Sequence, residues 1–262
     1  MISLFESWWT ESVAAATQRS VVLTLGGGGA RGLAHLGVME AIDRSGLHVE
    51  RILGVSMGSL MGALSAIHPD PRRATSEVLS LLDSPAFADQ CHHLADLAQR
   101  VVSTRESGRD QNIKATPYPW LGDWYARMER MMRHGHQLSA LMKGPAMLSS
   151  EIMEQAIAAL VPDMAIEDTA TPLSIVAVDL CSGHRVVLQR GSLRRAILAS
   201  TAIPGFFSPV KWDGMLLCDL GILEAMPLEI AKSLATDLTI GVDVGSSLQH
   251  AENFHTAFDV IM

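Results

Sequence analysis

What this 262-residue sequence lacks excludes several classes of protein. No apolar run reaches the roughly 18 residues that a membrane-spanning helix requires. The N-terminus has no basic start followed by an apolar core and a cleavage site, so no secretory signal peptide is predicted. The three cysteines, Cys91, Cys181 and Cys218, are too few and too scattered for a disulfide framework, which fits a reducing compartment. A net charge of −8 argues against nucleic acid as a partner, and we expect a cytoplasmic protein.

The residues that are present favour one large folded domain. Hydrophobic residues make up 48% of the chain, which is typical of a protein with a sizeable core. Short apolar runs alternate with helical patterns, which predicts an α/β fold with a mostly parallel central sheet, helices on both faces and three α/β/α layers. The predicted strands are 21–25, 52–55, 173–179, 185–189, 215–218 and 238–244, and the predicted helices are 31–44, 57–67, 192–200 and 227–235.

Two segments depart from this alternation. Residues 1–20 have amphipathic helical spacing, for which docking on the core and contact with a membrane both stay open. The domain itself is assigned to 21–262, and within it 69–150 is rich in proline and polar turns, which predicts a helical cap insertion. The chain stops at Met262 inside the start of a helical pattern, which leaves truncation open.

A serine lies at a predicted strand-to-helix turn. Residues 54–58, Gly-Val-Ser-Met-Gly, match the pattern G-x-S-x-G, which presents a nucleophilic serine on a sharp turn at the end of a strand. The flanking glycines remove side chains that would collide there. Gly and Ser are common, so chance is the alternative, but the strand before and the small-residue helix after favour Ser56 as a nucleophile.

A glycine-rich loop precedes this turn and also follows a strand. Successive amide groups at residues 26–29, before a helix, form a nest that binds anions. The spacing also fits the dinucleotide fingerprint G-x-G-x-x-G, but the acid near the required spacing, Glu50, precedes the next strand instead of ending it. A nest beside a nucleophile indicates an oxyanion hole, the site that stabilises the tetrahedral intermediate of acyl transfer.

A serine nucleophile needs a base, and the sequence offers several candidates. Four histidines, His35, His184, His250 and His255, have no surrounding signature, and His35 fits a packed structural residue on an apolar helix. Asp219 closes a short apolar strand and is followed by a turn, which places a carboxylate at a strand end. The alternative for Asp219 is a turn residue or a helix cap.

Four motifs in this order give the chain a family resemblance. They are residues 25–38 (LGGGGARGLAHLGV), 54–58 (GVSMG), 199–210 (ASTAIPGFFSPV) and 219–221 (DLG). Together they resemble the patatin-like phospholipase family, most of all its small bacterial members. The resemblance covers about 21–245 and is weak across 69–150.

The resemblance implies a serine lipid acyl-hydrolase of the phospholipase A or lysophospholipase type, acting on phospholipids or lysophospholipids. It implies a catalytic dyad of Ser56 and Asp219 without a histidine. The amides of Gly27, Gly28 and Gly29 would form the oxyanion hole. No cofactor or metal is expected, because the histidine- and cysteine-containing runs at 91–93 and 134–136 have no partner cluster.

The chain departs from the family pattern beside the aspartate. Leu220 stands where the family usually has Gly, and Glu224 and Ala225 stand where it often has Asn. A glycine that required a positive φ would leave Leu220 strained. These changes keep an alternative open, a catalytically weak or silent scaffold with a lipid-binding or regulatory role.

The predicted cap carries basic charge in an otherwise acidic protein. Residues 100–143 hold eight Lys or Arg residues against four acids. Between 118 and 142 an apolar stripe at helical spacing is interleaved with Arg127, Arg130 and Arg133. A buried helix face is one explanation, and docking on anionic lipid at the inner face of the membrane is the other. The sequence does not indicate an oligomeric state.

Overall fold

The computed structural model of the protein describes residues 20–68, 70–85, 87, 89, 150–221, 224–235 and 237–245. The predicted N-terminal segment before residue 20 and the basic part of the predicted cap lie outside these residues. No described helix is both long and apolar enough to cross a membrane.

A seven-stranded mixed sheet forms the centre of the described residues. Its neighbouring strands follow the order β5-β6-β3-β2-β1-β7, and β4 pairs with β3. The run β3-β2-β1-β7 is parallel, whereas β4, β5 and β6 add antiparallel pairs at one side. This arrangement confirms the predicted fold class. The strands are β1 Ser20–Leu25, β2 His48–Val55, β3 Leu173–Asp179, β4 Arg185–Leu188, β5 Val210–Trp212, β6 Met215–Cys218 and β7 Leu238–Val242.

Helices cover both faces of the sheet. They are α1 Ala34–Ser45, α2 Met57–Ile67, α3 Pro71–Leu82, α4 Glu151–Leu160, α5 Leu193–Thr201 and α6 Leu228–Leu234, with short 3-10 turns at Gly29–Leu33 and Ile166–Asp168. Helices α1 to α5 share one large apolar core with one face of the sheet. On the other face, Ala231 of α6 packs against a smaller cluster that includes Val22 and Leu53. Burial on both faces explains why β1 and most of β3 are continuous apolar runs.

The structure corrects the start of one predicted strand and shows a helix at the start of the predicted cap segment. Strand β2 begins at His48, four residues before the prediction, because its polar first half is only partly buried and breaks the apolar pattern. Helix α3 lies inside the predicted cap, yet its Ala74, Val78 and Leu82 are buried in the large core. The side chain of Asp70 caps its first turn by accepting a hydrogen bond from the Arg72 amide. Helix α3 therefore packs with the core, and the helical cap at 69–150 stays a prediction, since most of that segment lies outside the described residues.

Candidate active site

Two strands bring the predicted serine and aspartate together. Strand β2 runs parallel to β3 and ends with Val55 opposite Val176. Strand β6 runs antiparallel to β3, and its last residue, Cys218, pairs with the residue two positions further along β3. The carboxyl ends of β2 and β6 therefore approach each other along β3. Ser56 follows the first strand and Asp219 follows the second, so the sheet itself places them side by side.

The turn at Ser56 has strained backbone and very close packing. Ser56 has φ of 52° and ψ of −129°, outside the regions that residues with side chains ordinarily occupy. A Cβ on Gly54 would lie 2.5 Å from the Gly58 carbonyl oxygen, and a Cβ on Gly58 would collide with the Leu25 carbonyl oxygen. Both glycines of the motif are therefore required by contact between strand and helix, and the geometry matches the predicted serine turn.

The Ser56 hydroxyl contacts a buried carboxylate. Its Oγ donates a hydrogen bond of 2.6 Å to Oδ2 of Asp219. The other carboxylate oxygen, Oδ1, accepts the Gly221 N–H at 2.7 Å. Asp219 is only 4% exposed. Burial raises the pKa of Asp219 to about 6 from an ordinary value of 3.8. The two hydrogen bonds favour the charged form and oppose this rise, but burial is the larger effect. The carboxylate is therefore a stronger base than a solvated aspartate.

The last turn of α5 holds both residues. The buried hydroxyl of Ser200 accepts the Ser56 N–H at 2.9 Å and donates to the Val176 carbonyl at 2.7 Å. Two residues later, the Ala202 carbonyl accepts the Asp219 N–H at 2.9 Å. One helix end thus sets the separation of serine and aspartate. Ser200 has no role predicted from sequence, although it lies in the motif 199–210 that contributes to the resemblance.

The glycine loop lies directly beside the serine. A Cβ on Gly27 would be 3.2 Å from Cβ of Ser56. The Gly27 N–H already donates to the Ala225 carbonyl at 2.7 Å, so this amide does not face the serine as a free donor. Within the described residues, the Gly28 and Gly29 amides donate no hydrogen bond. The predicted three-amide oxyanion hole is therefore corrected to two candidate donors, Gly28 and Gly29.

The histidines do not provide a base to Ser56 in the described residues. The ring of His35 is fully buried, and its Nε2 lies 2.8 Å from the Gly26 carbonyl oxygen. Burial lowers the pKa of His35 and thereby favours the neutral ring. His184 lies in the exposed hairpin between β3 and β4, as its turn-like sequence predicted. His250 and His255 lie outside the described residues. The structural role predicted for His35 agrees with its contacts.

A family model links this geometry to known proteins. The model of the patatin-like phospholipase family matches residues 23–232, which span the glycine loop, the serine turn and the aspartate. The chain belongs to the patatin-like phospholipase family. The resemblance inferred from the four motifs is confirmed by this match.

Two patatin-like relatives match most of this chain, and both are longer than it. An uncharacterized NTE family protein of Mycobacterium tuberculosis is 32% identical over 235 residues, which cover 90% of this chain and 52% of that protein. The human patatin-like phospholipase domain-containing protein 6 is 28% identical over 232 residues, or 88% of this chain and 14% of that protein. The chain thus spans about half of the first relative and a small part of the second.

Solved structures of two bacterial proteins are also similar in part. VipD from Legionella pneumophila matches with a TM-score of 0.42 at 16% identity, covering 80% of this chain and 47% of that chain. ExoU from Pseudomonas aeruginosa, solved in complex with SpcU, matches with a TM-score of 0.33 at 19% identity, covering 70% of this chain and 38% of that chain. At these scores the similarity supports no inference about function.

The departures from the patatin-like pattern leave the contact between Ser56 and Asp219 intact. Among the described residues, Leu220 is not one of the non-glycine residues with positive φ, and it is buried in the smaller apolar cluster. The strain that a positive φ would cause at Leu220 therefore does not arise. Glu224 forms an ion pair of 2.7 Å with Arg185 at the start of β4, and its amide donates to the Leu220 carbonyl. Ala225 uses its carbonyl to hold the glycine loop. Main-chain groups and an ion pair thus hold the residues that follow Asp219, here called the aspartate loop, where the family often uses Asn.

The described residues contain no group of three or more His, Cys, Asp or Glu side chains arranged to hold a metal ion. The runs at 91–93 and 134–136, which were considered as ligands, lie outside them.

Proposed function

We propose that the protein is a serine lipid acyl-hydrolase that cleaves fatty-acyl esters of phospholipids or lysophospholipids. Membership of the patatin-like phospholipase family supports lipid hydrolysis at the level of reaction class. The single observation that carries the proposal is the 2.6 Å hydrogen bond from the Ser56 hydroxyl to the buried carboxylate of Asp219. A nucleophile bonded to its base at the end of a strained turn is the arrangement that acyl transfer requires.

In the proposed reaction, Ser56 Oγ attacks the acyl carbonyl carbon and its proton passes to Oδ2 of Asp219. The carbonyl oxygen becomes an oxyanion, which the Gly28 and Gly29 amides stabilise. The tetrahedral intermediate collapses and the C–O bond to the lipid alcohol breaks, with the proton on Asp219 passing to that leaving oxygen. Asp219 then takes a proton from water as the water oxygen attacks the acyl carbon. The bond between Ser56 Oγ and the acyl carbon breaks, the proton on Asp219 returns to Oγ, and the fatty acid leaves.

The pKa of Asp219 suits this cycle. A general base works best when its pKa lies close to the working pH, because it must be ionised and yet bind the proton firmly. At about 6, the carboxylate is mostly ionised at pH 7 and is more basic than a free aspartate. The buried site thereby supplies part of the basicity that a histidine provides in other serine hydrolases.

A scaffold without activity is the competing function. The inactive scaffold is suggested by the altered residues after Asp219, because replacement of the family's usual Gly and Asn could displace the carboxylate. The observed contacts favour the enzyme instead, because Asp219 keeps its bonds to Ser56 and Gly221 and Leu220 is accommodated without positive φ.

Labelling by a fluorophosphonate separates the two functions. We expect intact-mass analysis to show one modification in the wild type and none in Ser56→Ala, whereas the control Ser233→Ala, at an exposed site on α6, should be labelled normally. A panel of phospholipids and lysophospholipids should then show release of fatty acid that Ser56→Ala abolishes. A wild type that is neither labelled nor active on any ester would favour the scaffold.

The proposed chemistry uses no metal and no organic cofactor. The base is Asp219 and the oxyanion donors are main-chain amides, so the steps are complete without one. We expect a chelator to leave the rate of ester hydrolysis unchanged, and a loss that added metal restores would contradict this part of the proposal.

We also propose peripheral contact with anionic membranes, on the inner face in the cytoplasm. The support is the basic, apolar stripe of the predicted cap, which lies outside the described residues. Replacing Arg127, Arg130 and Arg133 together with Gln should weaken hydrolysis of anionic vesicles and spare a small soluble ester. Equal loss on both substrates would assign the stripe to the core.

A further inference from the structure

The peptide group between Gly26 and Gly27 is held at both ends. Its carbonyl oxygen, on Gly26, lies 2.8 Å from Nε2 of His35, and its N–H, on Gly27, donates to the Ala225 carbonyl at 2.7 Å. The preceding amide, of Gly26, donates to the Val242 carbonyl on β7 at 3.1 Å. Three separate elements, α1, the aspartate loop and β7, therefore fix the entry to the glycine loop.

His35 provides the only side chain among these three contacts. A carbonyl oxygen can only accept, so Nε2 of His35 carries the proton and Nδ1 carries none. The ring is fully buried in α1, and Nδ1 has no hydrogen-bond partner in the described residues. A leucine would fill this apolar space without the cost of burying a polar ring. The contact with Gly26 is thus the one polar interaction that offsets the burial of His35.

A run of four glycines needs such a contact. Glycine populates many backbone conformations, so a peptide plane between two glycines reorients at little steric cost. Reorientation of the Gly26–Gly27 peptide would break its bonds to His35 and Ala225 and change the direction of the next amides. Those amides, of Gly28 and Gly29, follow the residue that lies beside Ser56 and donate no hydrogen bond among the described residues, so they are the candidate oxyanion donors.

We infer that His35 is a positioning residue for the oxyanion hole: its Nε2–H fixes the Gly26–Gly27 peptide and thereby aims the Gly28 and Gly29 amides at the reacting carbonyl oxygen. This inference rests on the proposed acyl-hydrolase function. The role differs from that of a base, since His35 contacts the glycine loop and not the Ser56 hydroxyl.

Two substitutions separate positioning from packing. The amide nitrogen of glutamine reaches about the same place as Nε2 of histidine, so His35→Gln keeps a donor to Gly26, whereas His35→Leu fills the space without one. We expect His35→Leu to lower kcat on a soluble ester by about tenfold or more with little change in KM. Direct loss of one oxyanion donor costs about 10²–10³-fold in kcat, which bounds the effect. His35→Gln should restore most of the rate.

Leu36→Ala is the matched control, because Leu36 is a buried neighbour on the same helix whose side chain has no hydrogen-bond donor to offer the glycine loop. It should lower the unfolding midpoint at least as much as His35→Leu and leave kcat per folded molecule unchanged. A long-range ¹⁵N NMR experiment on the wild type should find His35 as the Nε2–H tautomer, independently of activity.

The possible failures are distinguishable. If the wild type hydrolyses esters and His35→Leu has wild-type kcat, or if His35→Gln is as impaired as His35→Leu, the positioning role is wrong and the acyl-hydrolase stands. A wild-type His35 found as the Nδ1–H tautomer also overturns it. If the wild type fails to react at Ser56 with any ester or fluorophosphonate, the proposed function fails, and the inference fails with it.

Discussion

The two residues of the proposed dyad, Ser56 and Asp219, are held in different ways. Ser56 is held mainly through its backbone. Its turn is strained, Gly54 and Gly58 pack against carbonyl groups, and the buried Ser200 hydroxyl accepts the Ser56 N–H. Asp219 depends on burial and on the main-chain donor of Gly221, and its loop is tied to β4 by a partly exposed ion pair.

This difference explains where the chain departs from its family. The G-x-S-x-G pattern is complete, because even a methyl group at Gly54 or Gly58 would collide with backbone. The changes lie in the aspartate loop, where Leu220 points into an apolar cluster and Glu224 finds a partner in Arg185. Contacts made by side chains can be replaced by other side chains, whereas contact between two backbones leaves no room for replacement.

The largest effect on catalysis is expected from Asp219→Asn. The amide has nearly the same shape but cannot accept the serine proton, so kcat/KM for a soluble ester should fall by about 10²–10⁴-fold. Thermal unfolding should show that the fold is kept. A variant that turns over at the wild-type rate would mean that the base lies elsewhere.

An added methyl group should destabilise the fold more at the Ser56 turn than at an exposed position on a helix. Gly58→Ala should lower the free energy of unfolding by about 3 kcal/mol, because the new Cβ meets the Leu25 carbonyl in a packed core. Gly37→Ala on α1 is the control, since nothing lies within 4 Å of its added Cβ. That change should stabilise the protein by up to about 1 kcal/mol in urea unfolding. Similar values for the two variants would contradict the close packing at the turn.

An intermediate effect on stability and on labelling is expected at Ser200, the residue of α5 that holds Ser56. Ser200→Ala leaves the Ser56 N–H and the Val176 carbonyl without their buried partner, which should cost about 1–3 kcal/mol of stability. The rate of fluorophosphonate labelling should fall as well. In Ser65→Ala, the lost hydroxyl bonds only a carbonyl of its own helix, so the cost should be smaller and labelling unchanged. Equal behaviour of the two would remove Ser200 from the support of the turn.

The smallest effect is expected from the ion pair of the aspartate loop. Arg185 and Glu224 are 47% and 30% exposed, and pairs of this kind contribute up to about 1 kcal/mol. A double-mutant cycle with Arg185→Gln and Glu224→Gln should give a coupling free energy in this range, reduced by salt. A larger coupling, or a loss of kcat close to that of Asp219→Asn, would show that this loop is as constrained as the serine turn.

Sequence patterns predicted the parts of the molecule that local rules govern. The serine turn follows from the spacing of Gly54, Ser56 and Gly58, and the apolar strands follow from burial on both sheet faces. Helix α4 and the three-residue strand β5 were not predicted, since one follows the polar insertion and the other is too short to show a pattern.

The fine geometry of the glycine loop could not be predicted. The Gly27 amide is used by Ala225, which is 198 positions away in sequence, and only the fold brings the two together. The pKa of Asp219 likewise depends on burial by distant elements. The sequence placed Asp219 at a strand end, and the antiparallel pairing of β6 with β3 turns that strand end toward Ser56.

The pH dependence of Ser56 acylation tests the dyad most directly. Asp219 accepts the proton only when ionised, and its folded pKa of about 6 lies above its ordinary value, so the labelling rate should rise with pH, with a midpoint near 6, and level off above it. In Asp219→Asn, labelling should be slow and should lose this midpoint, whereas His35→Gln should keep it. Retention of both the rate and the midpoint in Asp219→Asn would contradict a Ser56–Asp219 dyad.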